Sequence, residues 1–243
     1  MRNITDIEDV KRRFRVYLRM EKGMSRNTEL GYLGDVDKLI SFLRDEKSVV
    51  EVEECDLHNM VCCLRDIGMS PASQARIVSA LKTFFKFLKA EGYIDKSPAE
   101  LLETPRLGRH LPTVLSVEEI DSMIAAIDMS KAEGQRNRAI VETLYGCGLR
   151  VSELVDLKMS QVYAQEGFVV VTGKGDKQRI VPISPVALEE IARYIEEYRS
   201  FLTVKRGNED VLFLNRRGSK LTRVMIFYII KGLCEAAGIR KDI

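Results

Sequence analysis

Leu144-Tyr145-Gly146-Cys147-Gly148-Leu149-Arg150-Val151-Ser152-Glu153-Leu154 is the stretch on which the reading of this chain turns. It predicts a helix that stops at the glycines and a new helix that opens at Arg150. A guanidinium at a helix start can grip two oxygens of a phosphate in a planar fork, beside backbone N–H groups that also favour anions. Glu153 stands one helical turn further on. Two readings stay open for it: a solvated helix charge, or a partner that orients Arg150. A second stretch, Thr172-Gly173-Lys174-Gly175-Asp176-Lys177-Gln178-Arg179, predicts a tight hairpin with Lys174 at its tip. It is no P-loop, because the four-residue spacer and the Lys-Ser/Thr ending are missing.

Around these stretches the second half reads as mixed. Ser116 and Glu119 have capping-box spacing. Helices follow over roughly 135–145 and from about Arg150. The β-branched runs 168–172 and 178–183 predict two paired strands. Ser184-Pro185 opens a helix through about Phe201, with Leu188, Ile191, Ala192 and Ile195 inward. A short strand is expected over 211–214, and Thr222 caps a last helix to about Gly238. The first hundred residues predict helices only. Ile7, Val10, Phe14, Tyr17 and Leu18 mark one from Asp6 to Lys22. Leu30, Leu33, Val36, Ile40 and Leu43 mark another, capped by Ser25. A shorter one runs from about Asp56 to Ile67. Ser70-Pro71 opens a fourth, which buries Ile77, Leu81, Phe84, Phe85 and Leu88. Opposite that stripe lie Arg76, Ser79, Lys82, Thr83 and Lys86. The fold class is therefore mainly α with a small β-sheet (α+β).

A length of 243 residues suits two domains. Pro98, Pro105 and Pro112 interrupt the pattern, and Arg106, Arg109 and His110 make the same stretch basic. This predicts a helical domain over 1–103, a linker over 104–112 and a second domain over 113–243. No apolar run approaches the length of a membrane span, and the N-terminus lacks the apolar core of a signal peptide, so the cytoplasm is the default location. The five cysteines, Cys55, Cys62, Cys63, Cys147 and Cys234, fit neither a zinc knuckle nor a disulfide framework and read as packing thiols. Neither His58 nor His110 has a ligand cluster around it, so no metal site is expected. A net charge of +2 is uninformative by itself, so any argument for nucleic acid must come from where the charges lie.

The two quoted stretches agree in type, order and separation, and together they resemble the active site of the tyrosine recombinases, the phage-integrase family. The absence of any extra N-terminal module makes the Xer-like members the most similar. The resemblance implies a core-binding helical bundle followed by an integrase-type catalytic domain. It implies that Arg150 neutralises an oxygen of the scissile phosphate and that Lys174 protonates the departing 5′ oxygen, a role that suits an ammonium. Glu153 belongs to the same pocket. Ser25, Thr28, Tyr32, Arg76 and Lys82 fall where the family's core-binding helices meet double-stranded DNA. Arg106, Arg109, Lys177 and Arg179 fit contacts to the DNA backbone. Neither cofactor nor metal is implied. The full-length protein is expected to act as a homo- or hetero-tetramer on DNA, associated with the nucleoid. Chromosome segregation and mobile-element integration use the same parts.

The pattern also predicts a His-x-x-Arg pair and a nucleophilic tyrosine. No His-x-x-Arg string occurs in the sequence, and none of its eight tyrosines follows one. Tyr145 and Tyr194 read as packing residues on helices. A phenol without activating neighbours is a weak nucleophile. The chain is thus expected to be an incomplete catalytic domain, inactive by itself and monomeric without DNA. A non-catalytic DNA-binding module, such as a decoy recombinase, and a helical protein-interaction domain remain as alternatives.

Overall fold

The computed structural model describes residues 6–44, 47–106, 108, 113–173 and 175–241. The chain forms two compact units, Met1–His110 and Leu111–Ile243. Part of the expected linker, Leu107 and residues 109–112, lies outside the described residues.

In the first unit, α1 (Ile7–Val16) starts at Asp6, whose carboxylate accepts the Glu8 N–H at 2.9 Å. The expected single helix to Lys22 changes character at Tyr17. Residues Tyr17–Glu21 form a π-helical turn, closed by the Lys22 N–H donating to Tyr17 O at 3.1 Å. Tyr17 and Leu18, adjacent in this turn, are both buried in the core. α2 (Arg26–Leu43) is capped by Ser25 and buries Leu33, Val36, Leu39 and Leu43. Leu30, expected inside, is exposed. α3 (Glu54–Asp66) starts two residues before the predicted point, because Glu53 and Asp56 close a capping box there. α4 (Pro71–Ala90) follows Ser70-Pro71 as predicted, and all five of its expected core residues are fully buried. The rings of Phe84 and Phe87 pack on Phe14, with centroids 5.1 and 5.4 Å away.

In the second unit, α5 (Val117–Ala125) opens on the reciprocal Ser116–Glu119 capping box. α6 (Gly134–Cys147) ends at Gly148, which takes the left-handed conformation at φ +57°. Gly146 serves a different purpose. A Cβ there would lie 2.8 Å from Ser184 Oγ, the hydroxyl that caps the helix Pro185–Glu197 by accepting the Ala187 N–H. α7 (Val151–Asp156) follows at once. β1 (Val162–Tyr163), β2 (Phe168–Thr172) and β3 (Gln178–Pro182) form an antiparallel sheet in the order β1-β2-β3, with Val169 opposite Val181 and Val171 opposite Arg179. α8 (Pro185–Glu197) buries Ala187, Glu190, Ile191 and Tyr194; Ala192, expected inward, faces solvent. A 3₁₀ turn over Arg199–Phe201 completes the segment. α9 (Arg223–Ala236) begins at the Thr222 cap.

The expected strand over 211–214 is not one. Its ends make single antiparallel bridges, Lys158 with Val211 and Leu214 with Lys220. Leu212, Phe213 and Leu214 are nevertheless fully buried. The Leu212 N–H still donates to Leu157 O at 2.9 Å, and side chains serve much of the rest. Arg199 donates to Val211 O and Glu209 O, Arg136 donates to Leu214 O, and the Leu214 N–H donates to Tyr194 Oη at 3.0 Å. Among the described residues no helix is long and apolar enough to cross a membrane.

Candidate active site

The site grows from the break between α6 and α7. Gly148 turns the chain, and Arg150 becomes the residue that caps α7. Its backbone N–H donates to Glu153 Oε2 at 2.8 Å, and its Nη1 donates to Glu153 Oε1 at 2.9 Å. Arg179, from β3, donates through Nη2 to Glu153 Oε2 at 2.8 Å. The side chain of Glu153 is 2% exposed, whereas that of Arg150 is 72% exposed. One buried carboxylate therefore ties the start of α7 to the second hairpin strand while leaving the Arg150 guanidinium facing solvent. Burial works to raise the Glu153 carboxyl, but the Arg150 N–H and the two guanidiniums outweigh it and hold the group below the usual glutamate range. The site thus keeps its anion at neutral pH and presents two cations on one rigid base.

The hairpin backbone also approaches this carboxylate. A Cβ on Gly173 would stand 3.5 Å from Glu153 Oε1. The Gly173 N–H donates to Lys177 O at 2.8 Å, and Gly175 and Asp176 both have positive φ, which closes the turn. Lys174 lies outside the described residues, as does Arg109. Lys177 and Arg106 are exposed.

In the first unit the predicted positions divide. Ser25 Oγ and Thr28 Oγ1 lie 2.9 Å apart in the cap of α2. Tyr32 is half-buried against the core. Arg76 pairs with Asp35, a fully buried carboxylate that also accepts Lys38 Nζ at 2.7 Å. Lys82 is half-buried; Ser79 and Thr83 donate to carbonyls one turn back and so face their own helix. Asp35, the residue that orients Arg76, escaped the sequence reading because the pair spans two helices with no local spacing to reveal it.

Two packing expectations need correction. Tyr145 is half-exposed, since its side of α6 is left uncovered, whereas Tyr194 is buried and accepts the Leu214 N–H. Of the cysteines, only Cys147 and Cys234 are buried; Cys62 is half-buried, and Cys55 and Cys63 lie exposed on α3.

Comparison with known proteins covers both units. The profile of the phage integrase family matches residues 113–243, and that of the phage integrase N-terminal SAM-like domain matches 12–92. A tyrosine recombinase XerD of Lacticaseibacillus casei is 38% identical over 227 residues, covering 93% of this chain and 77% of the relative. One from Listeria innocua is 36% identical over 230 residues, with the same coverages. Among solved structures, the XerH site-specific recombinase bound to a palindromic difH substrate superposes with a TM-score of 0.70 at 25% identity, over 89% of this chain and 64% of that one. A lambda integrase dimer bound to a COC′ core site gives 0.74 at 17% identity, over 97% and 83%, and shows the shared fold. With Arg150 and the hairpin falling inside the first matched segment and identity running through both units, this chain belongs to the phage integrase family, with Xer-type tyrosine recombinases as its relatives.

Proposed function

We propose that this chain binds duplex DNA and contributes Arg150 and Lys174 to phosphodiester exchange in site-specific recombination. A tyrosine oxygen, assigned to none of this chain's eight tyrosines, gives up its proton to solvent and attacks the scissile phosphorus; the phosphorus–tyrosine bond forms, and the bond to the 5′ oxygen breaks. Lys174 gives its proton to that oxygen, and Arg150 neutralises the charge on the pentavalent phosphorus. The phosphotyrosyl link keeps the bond energy, so the exchange is isoenergetic and needs no nucleotide cofactor. Glu153 positions Arg150. Ser25, Thr28, Tyr32, Arg76, Lys82, Arg106, Arg109, Lys177 and Arg179 contact DNA, mostly its backbone. The full-length protein assembles as a tetramer on paired sites. The observation that carries this reading is an exposed arginine held on a buried carboxylate at the foot of a glycine-bounded hairpin.

A second reading covers the 243-residue chain taken alone: a DNA-binding module without cleavage chemistry. The absence of any His-x-x-Arg string favours it. Incubation with a nicked duplex that traps covalent intermediates decides between the two. The chain Met1–Ile243 is expected to shift the duplex on a native gel and to leave no adduct under denaturing conditions. A trapped adduct would overturn the second reading, and failure to bind duplex at low salt would overturn both.

A further inference from the structure

The construction of the candidate active site recurs in the first unit, at residues the site does not use. Glu29, in the first turn of α2, has a side chain only 4% exposed. Arg15 Nε lies 3.3 Å from its Oε1, and Arg19 Nη2 lies 3.1 Å from its Oε2. The arginines themselves are 54% and 60% exposed. Arg15 lies at the end of α1 and Arg19 in the π-helical turn four residues on, and both reach one carboxylate. Among the described residues, neither Nη of Arg15 nor Nη1 of Arg19 donates a hydrogen bond to protein. Glu29 follows directly on the Ser25–Thr28 hydroxyl pair, so cations and hydroxyls stand together at the start of α2.

We propose that Arg15 and Arg19, splayed on the buried carboxylate of Glu29, form a backbone-gripping pair for the phosphodiesters of duplex DNA. The inference rests on the DNA-binding reading above and extends it to residues outside the predicted contact set. A carboxylate buried for stability alone would be replaced at less cost by an apolar side chain. What Glu29 adds is orientation: each guanidinium loses freedom before any ligand arrives and keeps its outer N–H groups for phosphate oxygens. The helix N-terminus beside it favours the same charge.

The test is the salt dependence of duplex binding by the Met1–Ile243 chain. The triple variant Arg15→Gln/Arg19→Gln/Glu29→Gln removes the pair without stranding the carboxylate and lowers the net charge by one. Arg65→Gln lowers it equally from an exposed site on α3 that carries only a 3.7 Å contact to Asp66. Each lost phosphate contact reduces the slope of log K against log salt by about 0.9. The triple variant is expected to lose about two such steps and Arg65→Gln none. Should the triple variant fail to give the wild-type melting curve, Arg15→Gln alone leaves Glu29 paired with Arg19 and is expected to lose one step. Equal slopes for the variants and Arg65→Gln, with wild-type binding intact, overturn the pair. Absence of wild-type binding overturns the parent reading instead. Inorganic phosphate that shifts the two arginine side-chain resonances while the duplex slope is unaffected by the triple variant would make the pair a simple anion site and end the assignment to DNA.

Discussion

Glu153 holds two outward arginines on one buried carboxylate. It is buried, ionised and shared by two arginines, so its removal acts on the freedom of Arg150 before it acts on chemistry. Glu153→Gln keeps an acceptor but loses the charge, and is expected to lower stability by about 1–2 kcal/mol. The pH dependence has a definite sign. The folded carboxyl lies below its ordinary value, so its contribution is present above the unfolded value of about 4.3 and is lost as pH falls through the folded one. The denaturation midpoints of wild type and Glu153→Gln should therefore converge on acidification; a gap that stays constant from neutral to acid pH would refute the ionised bridge. Arg150→Ala is expected to weaken duplex binding similarly on all sequences and to lower the salt slope by about one, as for any phosphate contact. A sequence-dependent loss, measured on unrelated duplexes, would point to base contact instead.

At the scale of elements, α6 comes so close to the Ser184 cap of α8 at Gly146 that no Cβ fits between them. Gly146→Ala pushes a Cβ against the hydroxyl that caps α8 and is expected to cost about 1–3 kcal/mol. Ser184→Ala alone costs about 1 kcal/mol through the lost cap. The double variant should cost less than the sum, because the second change removes the atom that the first one meets. Strict additivity in chemical denaturation would show that the contact is relieved some other way. The buried segment 211–214 makes the complementary point. Its backbone is satisfied partly by backbone groups outside any ladder, such as Leu157 O, and partly by the side chains of Arg136, Arg199 and Tyr194, so an apolar run that reads as a strand becomes an irregular ribbon.

For the molecule as a whole, thiol reactivity reports which surfaces are open. Cys55 and Cys63 should react with a thiol reagent in the native state, and Cys147 and Cys234 only after unfolding. Burial pushes the Cys147 thiol up to about 11, which removes its thiolate at neutral pH as well as its access. Rapid native labelling of Cys147, located by peptide mapping, would contradict the packing of α6 on the rest of the second unit. The net charge of +2 says little, because the cations are paired in part with buried acids that turn them outward; arrangement, not total, makes a surface fit for a polyanion.

Local physics carried most of the element boundaries. Ser25, Ser70, Ser116, Ser184 and Thr222 each cap the helix expected of them, since a cap needs only its own next turn. The glycine break before Arg150 and the glycine-bounded hairpin were legible for the same reason: backbone freedom is a property of the residue. What sequence could not supply was partnership across distance. That Glu153 reaches Arg179 as well as Arg150, that Asp35 holds Arg76 and that Glu29 gathers Arg15 and Arg19 depends on which helix faces and strands the fold brings together. The residue types and their local turns thus came from the sequence by itself, whereas the pairing of buried acids with outward arginines was decided only in the tertiary structure, because a charge is worth burying only where packing delivers its counter-charge.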